Sequence, residues 1–196
     1  MAASTEADEC VALADEKAAL SWSGLVRLNQ GSVLVLTGRA SDAVEVITSG
    51  IATHRSLGST TWLPLHLSHL ANAYSELGQF DSAWGCIGEA KTSIETTNER
   101  WCEAEVYRIT GEVALKLPGA DADRAATYFQ SALAVARKQQ AKSWELRAAM
   151  SMARVWRDQG KRNEARELLA PVYGWFTEGF DTRDLKDAKA LLDELS

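Results

Sequence analysis

A pattern that returns about every 40 residues restricts the fold of this 196-residue chain more than any other feature. Trp22, Trp62, Trp101 and Trp144 stand 40, 39 and 43 residues apart. Nine or ten positions after each tryptophan comes a small residue: Gly31, Ala71, Gly111 and Ala153. Sixteen positions after three of the tryptophans stands a glycine (Gly38, Gly78, Gly160), and five residues beyond each glycine an alanine (Ala43, Ala83, Ala165). A period of roughly 20 to 50 residues marks a solenoid, in which each unit is too small to bury its own apolar face and stacks on its neighbours.

The physics of one unit is legible in residues 62–96. Leu63, Leu67, Leu70, Ala71, Tyr74 and Leu77 fall at helical spacing. Gly78 ends that helix, because glycine accepts the left-handed conformation that a C-terminal cap requires. Asp81 and Ser82 suit the start of a second helix, on which Ala83, Ile87 and Ala90 form an apolar stripe. Small side chains at 71 and 83 let the two helices approach closely. The third unit departs from the glycine spacing. Its turn, 117–123, is about two residues longer, and the second helix is expected to resume at Ala125. One indole per unit is expected to be a core anchor, so Trp62→Ala should cost ~3–5 kcal/mol if the ring is buried.

These positions resemble the tetratricopeptide repeat (TPR) family. The matches are Ala71, Tyr74, Gly78, Phe80, Ala83 and Ala90 in one unit, and Ala153, Trp156, Gly160, Ala165 and Leu169 in another. Gly31, Leu34, Gly38, Ala43 and Ile47 match in the first unit, and Gly111, Ala125, Phe129 and Ala132 in the third. The family step is about 34 residues, so these helices are expected to be longer by about a turn. The resemblance implies an all-α fold, an α-α superhelix of antiparallel helix pairs. It implies one domain over 1–196, divided as the second helix of a truncated repeat (1–19), repeats at 20–58, 59–98, 99–140 and 141–178, and a capping helix at 181–195. Leu185, Ala188, Leu191, Leu192 and Leu195 supply the apolar face of that last helix, and Ala7, Cys10, Val11, Ala14 and Ala18 that of the first. Pro171 is expected to shorten or bend the helix before the cap.

A narrower likeness concerns residues 99–112, 141–149 and 169–182. They are similar to the C-terminal repeats of large bacterial proteins that join a class III adenylate/guanylate cyclase domain, a P-loop signalling ATPase and a repeat tail. That likeness implies a regulatory or scaffold segment of a cytoplasmic signalling protein. The chain contains no GxxxxGK[ST] loop and no paired metal-binding aspartates, so neither activity carries over to a residue here.

Composition removes other classes. The net charge of −6 disfavours nucleic acid, since no basic run counters it. No segment has the ~18 uncharged apolar residues of a membrane span, and the acidic N-terminus does not read as a signal peptide. Three cysteines (Cys10, Cys86, Cys102) without CxxC spacing argue against a disulfide framework or a zinc site, and Cys86 and Cys102 read as structural thiols. His66 and His69 have a metal-compatible spacing but no nearby acid or cysteine to complete a set, so a packed or solvated pair is favoured. Ser23-Gly24 and Ser49-Gly50 do not fit a nucleophile elbow. No catalytic residue, cofactor or metal ligand is assigned.

By family analogy the partner surface lies on the first helix of each pair. The inward positions are Leu25, Leu28, Ser32 and Val35; Leu65, Ser68, Asn72 and Ser75; Glu105, Arg108, Glu112 and Leu115; and Arg147, Met150, Arg154 and Arg157. The arginines there suit a peptide carboxylate, which a guanidinium grips with two parallel bonds. The competing reading, which is favoured, pairs Glu105 and Glu112 internally with Arg147 and Arg154. The expected ligand is a protein or peptide. The rivals are self-association as a homodimer and a small-molecule receptor with a pocket lined by Trp22 and Leu28.

Overall fold

The structure, a computed structural model, describes residues 2–16 and 20–196. Among them are ten helices and no strand. The helices are α1 (Ala2–Glu16), α2 (Leu20–Leu36), α3 (Ala40–Ser56), α4 (Leu63–Glu76), α5 (Phe80–Thr97), α6 (Glu103–Lys116), α7 (Ala122–Gln139), α8 (Lys142–Asp158), α9 (Arg162–Tyr173) and α10 (Arg183–Glu194). The chain divides into two compact units, Met1–Arg100 and Trp101–Ser196. In the first, α2 pairs with α3 and α4 with α5, α1 covers α2, and the first helices α2 and α4 touch. In the second, α6 pairs with α7 and α8 with α9, while α8 touches both α6 and α10. The expected boundary at residue 19 and the expected apolar position Ala18 lie outside the described residues. Cys10, expected on the apolar stripe of α1, is exposed.

Three turns share one backbone solution. Gly38, Gly78 and Gly160 have φ of +79°, +71° and +78°. The residue after each glycine donates its N–H five residues back: Arg39 to Leu34, Gln79 to Tyr74 and Lys161 to Trp156, at 2.8–2.9 Å. This left-handed closure satisfies carbonyls that the ending helix leaves open. The longer third turn runs differently. Leu117 is extended, and α7 starts at Ala122, three residues before the expected Ala125. The reason is Asp121, whose carboxylate accepts from the N–H groups of Asp123 (2.9 Å) and Arg124 (3.2 Å) and caps the helix. Asp81 is not a cap: it lies in the first turn of α5, where its charge faces the positive end of the helix dipole.

The core does not rest on the indoles. Trp22, Trp62 and Trp101 are 64%, 40% and 42% exposed, and Trp144 is half-buried. All four stand in the first turn of a first helix or just before it, although their expected burial is not found. Trp62 shows why. It takes the left-handed conformation (φ +62°) at the N-terminus of α4, and its N–H donates to the Glu99 carboxylate at 2.8 Å. Its backbone is committed to the turn, and the ring is left at the surface.

The repeating anchor is a large apolar residue four positions after the second-helix alanine: Ile47, Ile87, Phe129 and Leu169, all buried. In two units it faces a first-helix glycine. A Cβ on Gly31 would collide with the Ile47 side chain, and one on Gly111 would lie 2.5 Å from Phe129 Cε1. The small residues are therefore needed because a bulky neighbour fills the space above them.

Candidate functional site

The first helices carry the polar chemistry of both units. In the first unit, Ser32 on α2 faces two histidines on α4. Its Oγ lies 2.6 Å from His69 Nδ1 and 3.5 Å from His66 Nδ1, and 3.0 Å from the Leu28 carbonyl oxygen. The two imidazoles meet edge-on with centroids 6.2 Å apart. His66 is buried, and its pKa is pushed down to about 3, chiefly by burial and then by the charges of His69 and His54. It is therefore neutral at pH 7 and serves as a packed hydrogen-bonding group. Among the described residues no three His, Cys, Asp or Glu side chains converge as a metal would require.

In the second unit the contacts are ionic. Arg108 on α6 makes two 2.8 Å bonds to Glu105 and one of 3.2 Å to Glu112. Glu112 accepts a 2.6 Å bond from Ser151 on α8. Arg147 on α8 lies 3.6 Å from Glu105 and donates to Asp184 on α10 at 2.5 Å. Arg157, one end of α8 further on, bonds Asp158 (2.9 Å) and Glu194 of α10 (2.6 Å). Burial acts against the charged Arg108 guanidinium, but Glu105, Glu112 and Asp184 outweigh it and hold its pKa above the ordinary value. Bidentate geometry is what makes such a partly buried pair favourable.

Several expected groove residues have no surface to offer a partner. Leu28 is fully buried, because it packs over Gly50 of α3: a Cβ there would come within 2.9 Å of Leu28 Cδ2. Ser68 is also fully buried, its hydroxyl donating to the Leu65 carbonyl at 2.6 Å. Glu105 is 2% exposed and occupied by Arg108. Ser75 and Met150 are buried as well. Asn72, Arg108, Glu112, Arg147, Arg154 and Arg157 keep part of their surface. Among these Arg154 differs from the other arginines. It shares the α8 face with Met150, Ser151 and Arg157, yet it enters no ion pair among the described residues. The internal pairing expected for it with Glu112 does not occur, since Glu112 is taken by Arg108 and Ser151.

The other sequence candidates sit on or beside helices. Ser23 and Ser49 lie inside helices α2 and α3, without the strand-to-helix elbow a serine nucleophile uses. Cys86 is half-buried on α5, its thiol pushed up by burial against the opposing charge of Arg55. Cys102 is buried at the start of α6 in the other unit.

Sequence reasoning missed Asp184, Glu194 and Ser151 as partners. A signal was present. Ser32 and His69, Arg147 and Asp184, and Arg157 and Glu194 are each 37 residues apart, and Glu112 and Ser151 are 39 apart. Stacked repeats bring residues one period apart into contact, so complementary side chains at that separation are candidate bonds. No helix among the described residues is long and apolar enough to cross a membrane.

No protein-family model matches the sequence, and no curated protein matches it either. Solved structures do resemble it. Two are of a putative kinesin light chain from Podosopora anserina with nearly identical TPR-like repeats. The first superposes with a TM-score of 0.59 at 16% identity, over 86% of this chain and 82% of that one. The second, at the same identity, has a TM-score of 0.58 and covers 86% and 83%. With its all-helical units and glycine-closed hairpins, the chain has a TPR-like repeat fold.

Proposed function

We propose that the chain is a non-catalytic interaction or scaffold module that holds a segment of a protein partner against the exposed face of its first helices. The observation that carries this reading is Arg154. Around it Arg108, Arg147 and Arg157 are neutralised by Glu105, Glu112, Asp184 and Glu194, whereas Arg154 is partly exposed and without an ionic partner among the described residues. A cation left open beside a closed network favours a partner that brings its own carboxylate. Arg108, Glu112 and Arg147 are then flanking contacts. In crosslinking of intact cells, Arg154→Glu should remove at least one partner that the wild-type chain captures, with helicity unchanged. Capture of the same set by both chains would reject the assignment.

The parent protein proposed is a cytoplasmic signalling protein of the cyclase–ATPase type, supported by the likeness of residues 99–112, 141–149 and 169–182. Reading the complete gene for an adjoining cyclase or ATPase domain tests this. Self-association is the second reading, favoured by Leu13, which is 56% exposed on α1. Light scattering coupled to size exclusion separates it from the first.

A further inference from the structure

The segment between α9 and α10 forms a cleft that takes no part in the first-helix surface. Lys186, Lys189, Ala190 and Asp193 follow one another at helical spacing and form a single exposed stripe on α10. That stripe is offset from Leu185, Ala188 and Leu191, which bury the helix. Opposite it stand Tyr173, at the end of α9, and Phe180, in the turn, with ring centroids 5.9 Å apart and planes tilted by 59°. The space between has a volume of about 410 Å³, with Leu185 at its base. Phe180 is 47% exposed, in a turn that also carries Trp175 and Phe176, so aromatic surface is concentrated there. Ala190 keeps the cleft open, since any longer side chain at the middle of the stripe would project into it. The lysine stems add apolar wall while their ammonium groups stay in water.

The charges at the rim are not balanced. Lys189 Nζ lies 2.7 and 2.8 Å from the two oxygens of Asp193, so those two charges cancel. Lys186 has no ionic partner among the described residues, and the rim keeps one positive charge.

We propose that this cleft is a second docking site, for a protein segment that inserts one aromatic or leucine side chain and sets an adjacent carboxylate on Lys186. The apolar walls select the side chain, and the uncancelled ammonium selects the charge beside it. The site does not depend on the reading of Arg154: none of its lining residues belongs to a first helix, and it can exist whether or not that reading holds.

The probe is the blocked tripeptide acetyl-Glu-Phe-Glu-amide, titrated into the full 15N-labelled chain. Saturable shifts are expected at the amides of Phe180, Leu185, Lys186 and Ala190. The acetyl-Glu-Ala-Glu-amide counterpart should bind at least about tenfold more weakly, as loss of a buried phenyl group implies. The acetyl-Gln-Phe-Gln-amide counterpart should bind about threefold to fivefold more weakly, the size of one exposed ion pair. Lys186→Glu, a change at an exposed position, should weaken the parent peptide by about tenfold or more, replacing attraction with repulsion. Ala190→Leu should abolish the shifts by filling the cleft, while Arg154→Glu should leave them unchanged. Shifts that map elsewhere, or an unaltered titration with Lys186→Glu, overturn the proposal. So do concentration-dependent shifts at these four amides without peptide, which would assign the cleft to a second copy of the chain.

Discussion

The two units share one glycine-closed turn at three of their four hairpins and join their first helices with different chemistry. Between α2 and α4 the bridge is a serine hydroxyl set against two imidazoles. Across α6, α8 and α10 it is a chain of carboxylates and guanidiniums. The backbone scaffold does not require either solution. Stacking places positions one repeat apart within bonding reach, and the side chains then decide whether the seam responds to acid or to loss of a charge. The fold explains the contact, and the residues explain its sensitivity.

The comparison can be broken most forcefully through what the units share. Phe129→Ala should cost ~3–5 kcal/mol, and Ile47→Ala, at the same register, ~2–5 kcal/mol. Urea denaturation followed by hydrogen exchange, read helix by helix, checks both. If each substitution loosens its own unit first, the large residue over the glycine is the common anchor. Equal loosening of both units would mean that they do not open separately.

The next effect is confined to the ionic unit. Glu105→Ala leaves Arg108 facing Arg147 with one fewer carboxylate, and should destabilise by ~3 kcal/mol, the low end for breaking a buried pair because water reaches both guanidiniums. Adding Arg108→Met should restore part of the loss, which a double-mutant cycle in urea measures. An additive double mutant would show that the pair is not coupled.

Acid should reach the unit with the histidines first. His66 stays unprotonated in the fold down to about pH 3, whereas in the unfolded chain it takes a proton near pH 6.5. Its contribution is therefore complete above pH 6.5 and declines as the pH falls toward 3. By pH 4.5 the loss should be about 2–3 kcal/mol. The ionic unit follows later. Burial works against the Glu145 carboxylate, but bonds from Lys142 and Arg137 hold its pKa below the usual 4.5. Its share is present above pH 4.5 and is lost only as the pH drops through that lower value. Protection factors in α2 and α4, corrected for the intrinsic exchange rate at each pH, should fall between pH 6.5 and 4.5, before those in α8. His66→Gln should remove that early loss of protection.

The smallest effect separates the expected anchor from the observed one. With its ring 40% exposed, Trp62→Ala should cost under ~1.5 kcal/mol by thermal melting, well below Phe129→Ala. Comparable costs would return the indoles to the core.

Much of this organisation was legible in the residues. The glycines at 38, 78 and 160 marked turns because only glycine takes the left-handed conformation without strain, and each turn closes with the same backbone bond. Ala43, Ala83 and Ala165 marked close helix contacts and are fully buried. The tryptophans misled because hydrophobicity was read without backbone conformation. Trp62 is held in a left-handed turn by Glu99, a residue 37 positions away. Leu28 and Ser68 misled because a family register assigns faces to an average helix, while here Leu28 is claimed by the bare backbone of Gly50.

The sequence by itself determined the hairpins, since a helix stop, a period and a small-residue contact depend on neighbours within a few residues or on simple repetition. Only the tertiary structure decided which charges are spent inside and which remain open. Asp184 reaches Arg147, Glu194 reaches Arg157, and Ser151 joins Arg108 at Glu112, so that Arg154 is left without an ionic partner among the described residues. Electrostatic pairing depends on distances of a few ångströms between side chains nearly forty residues apart, and those distances exist only once the helices have stacked.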